Sequence, residues 1–170
     1  MTSAAPFPPL PRDVLLSAAE RETRLSQALP VILSTLEGET DLVAIEATLS
    51  CLLWEVFVQA NWCGFYRRLG PNTLVVGPYQ GSLGCLRIDF TRGVCGAAAR
   101  TRQTQLVADV HAFPDHIACD ARSQSEIVVP VIQRGELIAV LDIDSPFLDA
   151  FSQGEARLLE TLVTRVFDRG

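Results

Sequence analysis

The chain has 170 residues, 48% of them hydrophobic and 20% charged, a make-up that fits one compact domain with a full core and excludes a disordered segment. Its 20 acidic side chains against 14 basic ones give a formal charge of -6, so phosphate backbones are repelled on average and nucleic acid is not an expected partner. Every basic residue is an arginine, and these are scattered, with no basic run to reverse that field.

Residues 1–11 are rich in proline and alanine, without the basic and apolar regions of a signal peptide, and no later stretch is long enough to span a bilayer. They are read as part of an N-terminal extension over 1–19, followed by one domain over 20–170, with a cytoplasmic location and no membrane partner. A helix is predicted from Arg12 to about Leu36, broken or restarted at Pro30, which suits a first turn better than a helix interior. Thr40 or Asp41 caps a second helix running to about Gln59, whose apolar positions Leu42, Ile45, Leu49, Leu52, Leu53 and Val56 recur at helical spacing. Cys51 is read as a small residue in that buried stripe.

The pattern then shortens to β-like runs: Trp62 to Arg68, Thr73 to Tyr79 after a Gly70-Pro71-Asn72 turn, and Leu83 to Phe90. Gly93 opens a helix containing Cys95, a strand follows around Gln105 to Val107, and a long loop from Asp109 to Ser125 leads to strands at Ile127 to Ile132 and Leu137 to Ile143. Pro130 suits an edge or a non-bonding position. Ser152-Gln153-Gly154-Glu155 is a capping box for a last helix with Leu159, Leu162, Val163 and Val166 on one face. Together these elements predict an α+β fold with an antiparallel sheet.

Five cysteines with no Cys-x-x-Cys pair argue against both a secreted disulfide framework and a zinc ribbon. Any disulfide is then transient and catalytic, and needs an external thiol reductant such as thioredoxin or glutathione to reopen it. Cys119 is the focus, lying in His116-Ile117-Ala118-Cys119-Asp120-Ala121-Arg122-Ser123-Gln124-Ser125-Glu126, a loop of polar and small residues suited to a reactive thiol. Cys95, at a helix N-terminus, has its own claim to a lowered pKa; its alternative role is close helix packing. Cys63 reads as a buried strand thiol. His111 and His116 bracket the loop and either stabilise a thiolate or bond the loop backbone. Their spacing with Cys119 matches no standard zinc pattern, so no metal is expected.

Asn61-Trp62-Cys63-Gly64-Phe65-Tyr66, Gly77-Pro78-Tyr79-Gln80-Gly81, Gly93-Val94-Cys95-Gly96, the Cys119 loop and Val140-Leu141-Asp142-Ile143-Asp144-Ser145 resemble the free methionine-(R)-sulfoxide reductases, a family built on a GAF domain. The resemblance runs from about Arg21 to Val166. It implies a GAF-type sheet with helices on one side and an active-site loop side, and no bound cofactor. It also implies that Cys119 attacks the sulfoxide sulfur of free methionine sulfoxide and becomes a sulfenic acid. Cys85 is then the first candidate to resolve it as a disulfide, with Cys95 the alternative resolving or recycling thiol. Asp115 stands where that family is expected to carry glycine.

A zwitterionic substrate needs carboxylates for its ammonium, donors for its carboxylate and an apolar wall for its methyl group. Asp142 and Asp144 share one strand face. A three-residue loop Gln133-Arg134-Gly135 would set Glu126 opposite Asp142 on that face. Such a cluster raises the pKa of at least one member, so Glu126 is assigned to proton donation or contact with the sulfoxide oxygen, and Asp142 with Asp144 mainly to the ammonium and the acid network, the alternative being ordinary carboxylates at a solvated strand end. Trp62 and Tyr66 are the expected wall, or else core aromatics. The competing functions are a GAF module that senses a metabolite or redox state without turnover, and a peroxidase-like thiol enzyme. A homodimer is left open.

Overall fold

The computed structural model describes residues 7–8, 10–116 and 119–168; Ile117 and Ala118 of the Cys119 loop, and most of residues 1–9 of the expected extension, lie outside them. The four α-helices of the described residues are α1 (Ala18–Thr35), α2 (Leu42–Val56), α3 (Gly93–Thr101) and α4 (Gln153–Phe167), and the strands are β1 (Trp62–Leu69), β2 (Thr73–Gly81), β3 (Arg87–Asp89), β4 (Gln105–Val107), β5 (Ser125–Gln133) and β6 (Glu136–Ser145). The strands form one sheet in the order β3-β2-β1-β6-β5-β4, antiparallel at every pairing.

Strand alternation divides the core. Cys63, Phe65, Ile127, Val129, Val131, Leu141 and Ile143 point to one face and pack under α1, α2 and α4. Trp62, Tyr66, Val128 and Val140 point to the other, where α3 and the loops cover them. The small residues Ala98 and Ala99 let α3 lie close to the sheet, and a side chain at Gly96 would meet the Asp89 carbonyl at 2.7 Å. Among the described residues no helix is long and apolar enough to cross a membrane.

Several boundaries differ from expectation for identifiable reasons. Helix α1 begins at Ala18, not Arg12, because Ser17 and Glu20 form a capping box. Arg12 instead crosses to the end of α2, donating to the carbonyls of Trp54 and Ala60 at 2.8 and 2.9 Å. Pro30 sits inside α1 without ending it, since Ala28 and Ile32 on either side are fully buried and fix the helix against the core. Asp41 caps α2 through Ala44, which stops at Val56. Cys51 is exposed: it lies about 200° around the helix from the buried Leu49. The expected strand from Leu83 to Phe90 shrinks to Arg87–Asp89, freeing 82–86 as a loop that carries Cys85. Pro130 falls beyond the last pair of the short β4, which ends at Gln105 with Val128, so no ladder bond is lost there.

The hairpin between β5 and β6 has a two-residue turn, Arg134 and Gly135, both at positive φ (51° and 78°), where three residues were expected. An irregularity between Val131 and Ile132 completes the shift. Glu126 therefore pairs with Asp144, and Val128 with Asp142. The register moved by two, which leaves Glu126 on its expected face.

Candidate active site

Successive rungs of the sheet assemble the site. Trp62, Asp144 and Glu126 are aligned across β1, β6 and β5, and the next rung on that face holds Gly64, Asp142 and Val128. Trp62 is stacked between Tyr66 and Tyr79, with ring centroids 5.2 and 5.1 Å apart. Gly64 is compelled here, because a side chain would strike Tyr79. The aromatic stack thus forms one wall, with three carboxyl groups beside it and the N-terminus of α3 opposite. Arg92 gives that terminus no side-chain cap.

Burial dominates the electrostatics. Loss of hydration pushes the Glu126 carboxyl well above the carboxylate range, and Asp142 and Asp144 push it further. Asp144 is raised in the same way, by burial and then by Asp142 and Asp120. Asp142 is raised by burial, while bonds from Cys95 and Glu126 pull it back. Its Oδ1 and the indole Nε1 of Trp62 are buried without a partner among the described residues, so one acceptor and one donor await a polar ligand. Cys95 lies 3.9 Å from Glu126 Oε1. Its thiol is raised, not lowered as a helix N-terminus suggests, because burial and the charges of Asp142 and Glu126 outweigh the helix end.

Cys85 and Cys119 are joined in a disulfide, Cα to Cα 5.4 Å. Cys119 is exposed, Cys85 half-buried, and Cys85 packs against the cluster that holds Trp62 and Tyr66. The cavity bounded by Cys119, Cys95, Trp62, Glu126, Asp142 and Asp144 has about 30 Å³ of free space, room for no more than a water or two. Gly84 closes it: a side chain there would meet the Tyr66 hydroxyl at 2.9 Å and Trp62 Nε1 at 3.1 Å. All eight residues expected at the site therefore meet in one place.

His116 lines the cavity, and burial followed by His111 lowers its pKa, so it is a neutral ring rather than a cation for a thiolate. Asp115 takes φ 54°, the left-handed conformation that glycine would supply, and its carbonyl accepts from Gly93 N–H at 3.0 Å, tying the loop to α3. Cys63 is fully buried among the helices and has no route to the cavity. Cys95, Glu126 and Asp142 bring ligand-type atoms within 4.8 Å of one another, but burial holds Cys95 and Glu126 in their protonated forms, which leaves too few anionic ligands for a metal ion.

A second layer was not anticipated. Asn61 takes its position from its N–H bond to the Asp144 carbonyl, 3.0 Å, and its own carbonyl accepts from Ser82 N–H, 3.3 Å. Gly81 permits this approach with φ 113°, since a side chain would collide with the Asn61 carbonyl. The Asn61 amide donates to Asp120 Oδ2 at 3.2 Å and to Ser123 Oγ at 3.0 Å, and Ser82 Oγ donates to the same Asp120 oxygen at 2.6 Å. Asp120, whose carboxyl is held far below its usual range chiefly by bonds from Arg122, was visible in sequence only as a polar neighbour of Cys119.

The family model for the GAF domain matches residues 41–166. The chain is 46% identical over 129 residues to the free methionine-R-sulfoxide reductase of Escherichia coli, covering 76% of this chain and 78% of that protein. It is 39% identical to the protein of the same name from Saccharomyces cerevisiae, over 86% of this chain and 85% of that one. The X-ray structure of free methionine-R-sulfoxide reductase from Neisseria meningitidis in complex with its substrate is matched with a TM-score of 0.83 at 42% identity, over 91% of this chain and 93% of that chain.

Proposed function

The chain belongs to the free methionine-R-sulfoxide reductases, a family built on the GAF domain, and from that membership we infer that it reduces free L-methionine (R)-sulfoxide to L-methionine. We assign the nucleophile to Cys119 and the resolving thiol to Cys85. The observation that carries this reading is the Cys85–Cys119 disulfide at the mouth of a cavity floored by Glu126, Asp142 and Asp144.

The Cys119 thiolate attacks the sulfoxide sulfur while Glu126, kept protonated by burial, protonates the sulfoxide oxygen; the new S–S bond then breaks as the S–O bond does, and the hydroxyl passes to Cys119 Sγ. The sulfoxide is reduced to the thioether and Cys119 is oxidised to a sulfenic acid. Cys85 displaces the sulfenic oxygen as water and forms the disulfide. Asp142, with its unpartnered oxygen, and Asp144 receive the substrate ammonium, while Trp62 and Tyr66 form the wall for its methyl group. Cys95, beside Glu126, serves as an auxiliary thiol of the pocket.

The disulfide form is the end of one turnover. Reduction of the disulfide returns both thiols for the next one. The exposed Cys119 suits attack by a thioredoxin-type dithiol, and a cycle that ends in a disulfide belongs in the reducing cytoplasm. The unit that performs it is the GAF domain over 20–170, with residues 1–19 as an extension. A module that senses only a metabolite has no use for the disulfide, and one that senses only redox state has no use for three buried carboxyl groups beside it. Purified protein with dithiothreitol should convert the R epimer, and not the S epimer, to methionine, and Cys119→Ser should abolish this; full turnover by that variant would remove the assignment of the nucleophile.

A further inference from the structure

Two loops carry the two sulfurs, and neither belongs to a regular element. Cys85 lies in the 82–86 loop after β2, Cys119 in the segment before β5, and the covalent link between them exists only at the end of turnover. One carboxylate ties the loops independently of the sulfurs. Asp120, next to Cys119, accepts from Ser82 Oγ at 2.6 Å and from the Asn61 amide at 3.2 Å on the same oxygen, Oδ2. Its other oxygen accepts from Arg122 N–H at 2.9 Å, and Ser123 N–H closes the turn on the Asp120 carbonyl at 3.2 Å. Asn61 is the fixed post, held by the Asp144 carbonyl at the start of β1 and bonded to Ser82 and Ser123 as well.

We propose that Asp120 is a positioning residue for the resolving step: its bridge to Ser82 and Asn61 holds the Cys119 and Cys85 loops together, so that a sulfenic acid on Cys119 meets the Cys85 thiol before any external thiol reaches it. The inference rests on the reading that Cys119 is the sulfur oxidised. In the step concerned, Cys119-SOH and Cys85-SH become the disulfide and water; no further oxidant is needed, and the Cys85 proton leaves with the sulfenic oxygen. Bonds to a charged acceptor are the strong kind, and Oδ2 gathers them from both sides of the gap. Holding two reacting groups on tethered loops raises their effective concentration, the quantity that sets both the rate of disulfide closure and its equilibrium.

The test uses the reduced protein mixed with one equivalent of free methionine (R)-sulfoxide, with methionine measured by chromatography and the sulfur state by mass spectrometry, with and without dimedone. Asp120→Ala should still release its equivalent of methionine while disulfide closure slows about tenfold, the fold-change expected for losing a charged hydrogen bond. Dimedone-trapped Cys119 should rise in proportion. Because the Asp120 charge also reaches Asp144, Ser82→Ala supplies the arm that removes the bridge and keeps the charge; it should move in the same direction by less, and the double variant should add little to Asp120→Ala. Equilibration against dithiothreitol should shift the Cys85–Cys119 pair toward dithiol in both variants. A role confined to general stability would lower the melting temperature and leave the dimedone fraction and the thiol equilibrium unchanged, which would overturn the proposal; if Asp120→Ala does not fold, the same readouts on Ser82→Ala decide it. Failure of the wild-type protein to release methionine would instead count against the functional reading beneath it.

Discussion

Glu126 and Asp144 are direct partners across β5 and β6, so two carboxyl groups share one rung of the sheet, with Trp62 as the next residue along it. Neither is easily ionised beside the other in a buried setting. The pairing converts an acidic stretch of sequence into a proton store at neutral pH. The two-residue turn at Arg134 and Gly135, together with the irregularity between Val131 and Ile132, produces it.

From that rung follows the pH dependence of the first chemical step. The rising limb reports ionisation of the attacking thiol, and the falling limb reports loss of the proton from Glu126, displaced to alkaline pH because its pKa is raised. Glu126→Gln should slow methionine release in a single turnover by roughly 10²-fold or more, the usual scale for a general acid, and should flatten the falling limb. Single-turnover rates across the pH range check this. A Glu126→Gln enzyme with wild-type rate and profile would assign the proton elsewhere.

Cys85→Ser separates the two halves of the cycle. Its first equivalent of methionine should appear at close to the wild-type rate, because Cys85 acts only after the sulfoxide oxygen has left. Thioredoxin-supported turnover should then collapse, while dithiothreitol, small enough to attack the sulfenic acid directly, sustains part of it. Cys95→Ser should impair cycling less, since Cys95 is unpaired and buried beside Glu126. Intact-mass spectra after one equivalent of substrate would show a sulfenic adduct in Cys85→Ser and a disulfide in Cys95→Ser; a disulfide retained in Cys85→Ser would make Cys95 the resolver.

What could be read from sequence was periodic or chemical. The buried stripe of α2, the capping box at Ser152 and Glu155, the strand at Gln105–Val107 and the shared face of Asp142 and Asp144 all follow from spacing and residue type. The eight site residues were named through that chemistry and the family resemblance, and they converge. Other features were set by tertiary contacts. Pro30 continues α1 because its neighbours are buried. Leu83 and Leu86, apolar residues that read as strand, are 76% and 72% exposed: the loop is pinned by the Cys85–Cys119 disulfide and joins β2 through the Leu86 carbonyl, which accepts from Val76 N–H at 3.1 Å. The bridge through Asn61, Ser82 and Asp120 joins three segments far apart in sequence, and no local pattern announces it.

Gly84 makes the redox state sensitive to a single methyl group. A Cβ at that position meets the Tyr66 hydroxyl at 2.9 Å and Trp62 Nε1 at 3.1 Å in the disulfide form, and Tyr66 and Trp62 are too well buried and stacked to move. The loop has to retreat, taking Cys85 with it. Gly84→Ala should therefore favour the dithiol form, by about tenfold in the equilibrium constant if the strain is about 1.4 kcal/mol. Equilibration with dithiothreitol at fixed ratios measures it. An unchanged equilibrium would mean that the loop accommodates the methyl group without shifting Cys85.

Glu46, on the opposite side of the sheet from the cavity, sets a pH dependence of stability unrelated to catalysis. It is 1% exposed, its Oε2 lacks a hydrogen bond among the described residues, and Arg67 stands 3.8 Å away with its own side chain half in solvent. Burial raises the Glu46 carboxyl from 4.5 to about 7, against a smaller opposing pull from Arg67. Between those values the folded protein holds a proton that the unfolded chain has released, so stability falls as pH rises through the window, at no more than about 1.4 kcal/mol per unit, and levels off above the folded pKa. Glu46→Gln keeps the shape without a titrating group. Its melting temperature should be near that of the parent at pH 4.5 and clearly higher at pH 8, with up to about 3 kcal/mol separating the two in urea unfolding. Glu126, Asp142 and Asp144 give both proteins the same additional slope in the same direction, so the difference between them isolates Glu46. Melting curves of the two proteins at pH 5 and pH 8 that differ by the same amount would show that Arg67 keeps this carboxylate ionised throughout.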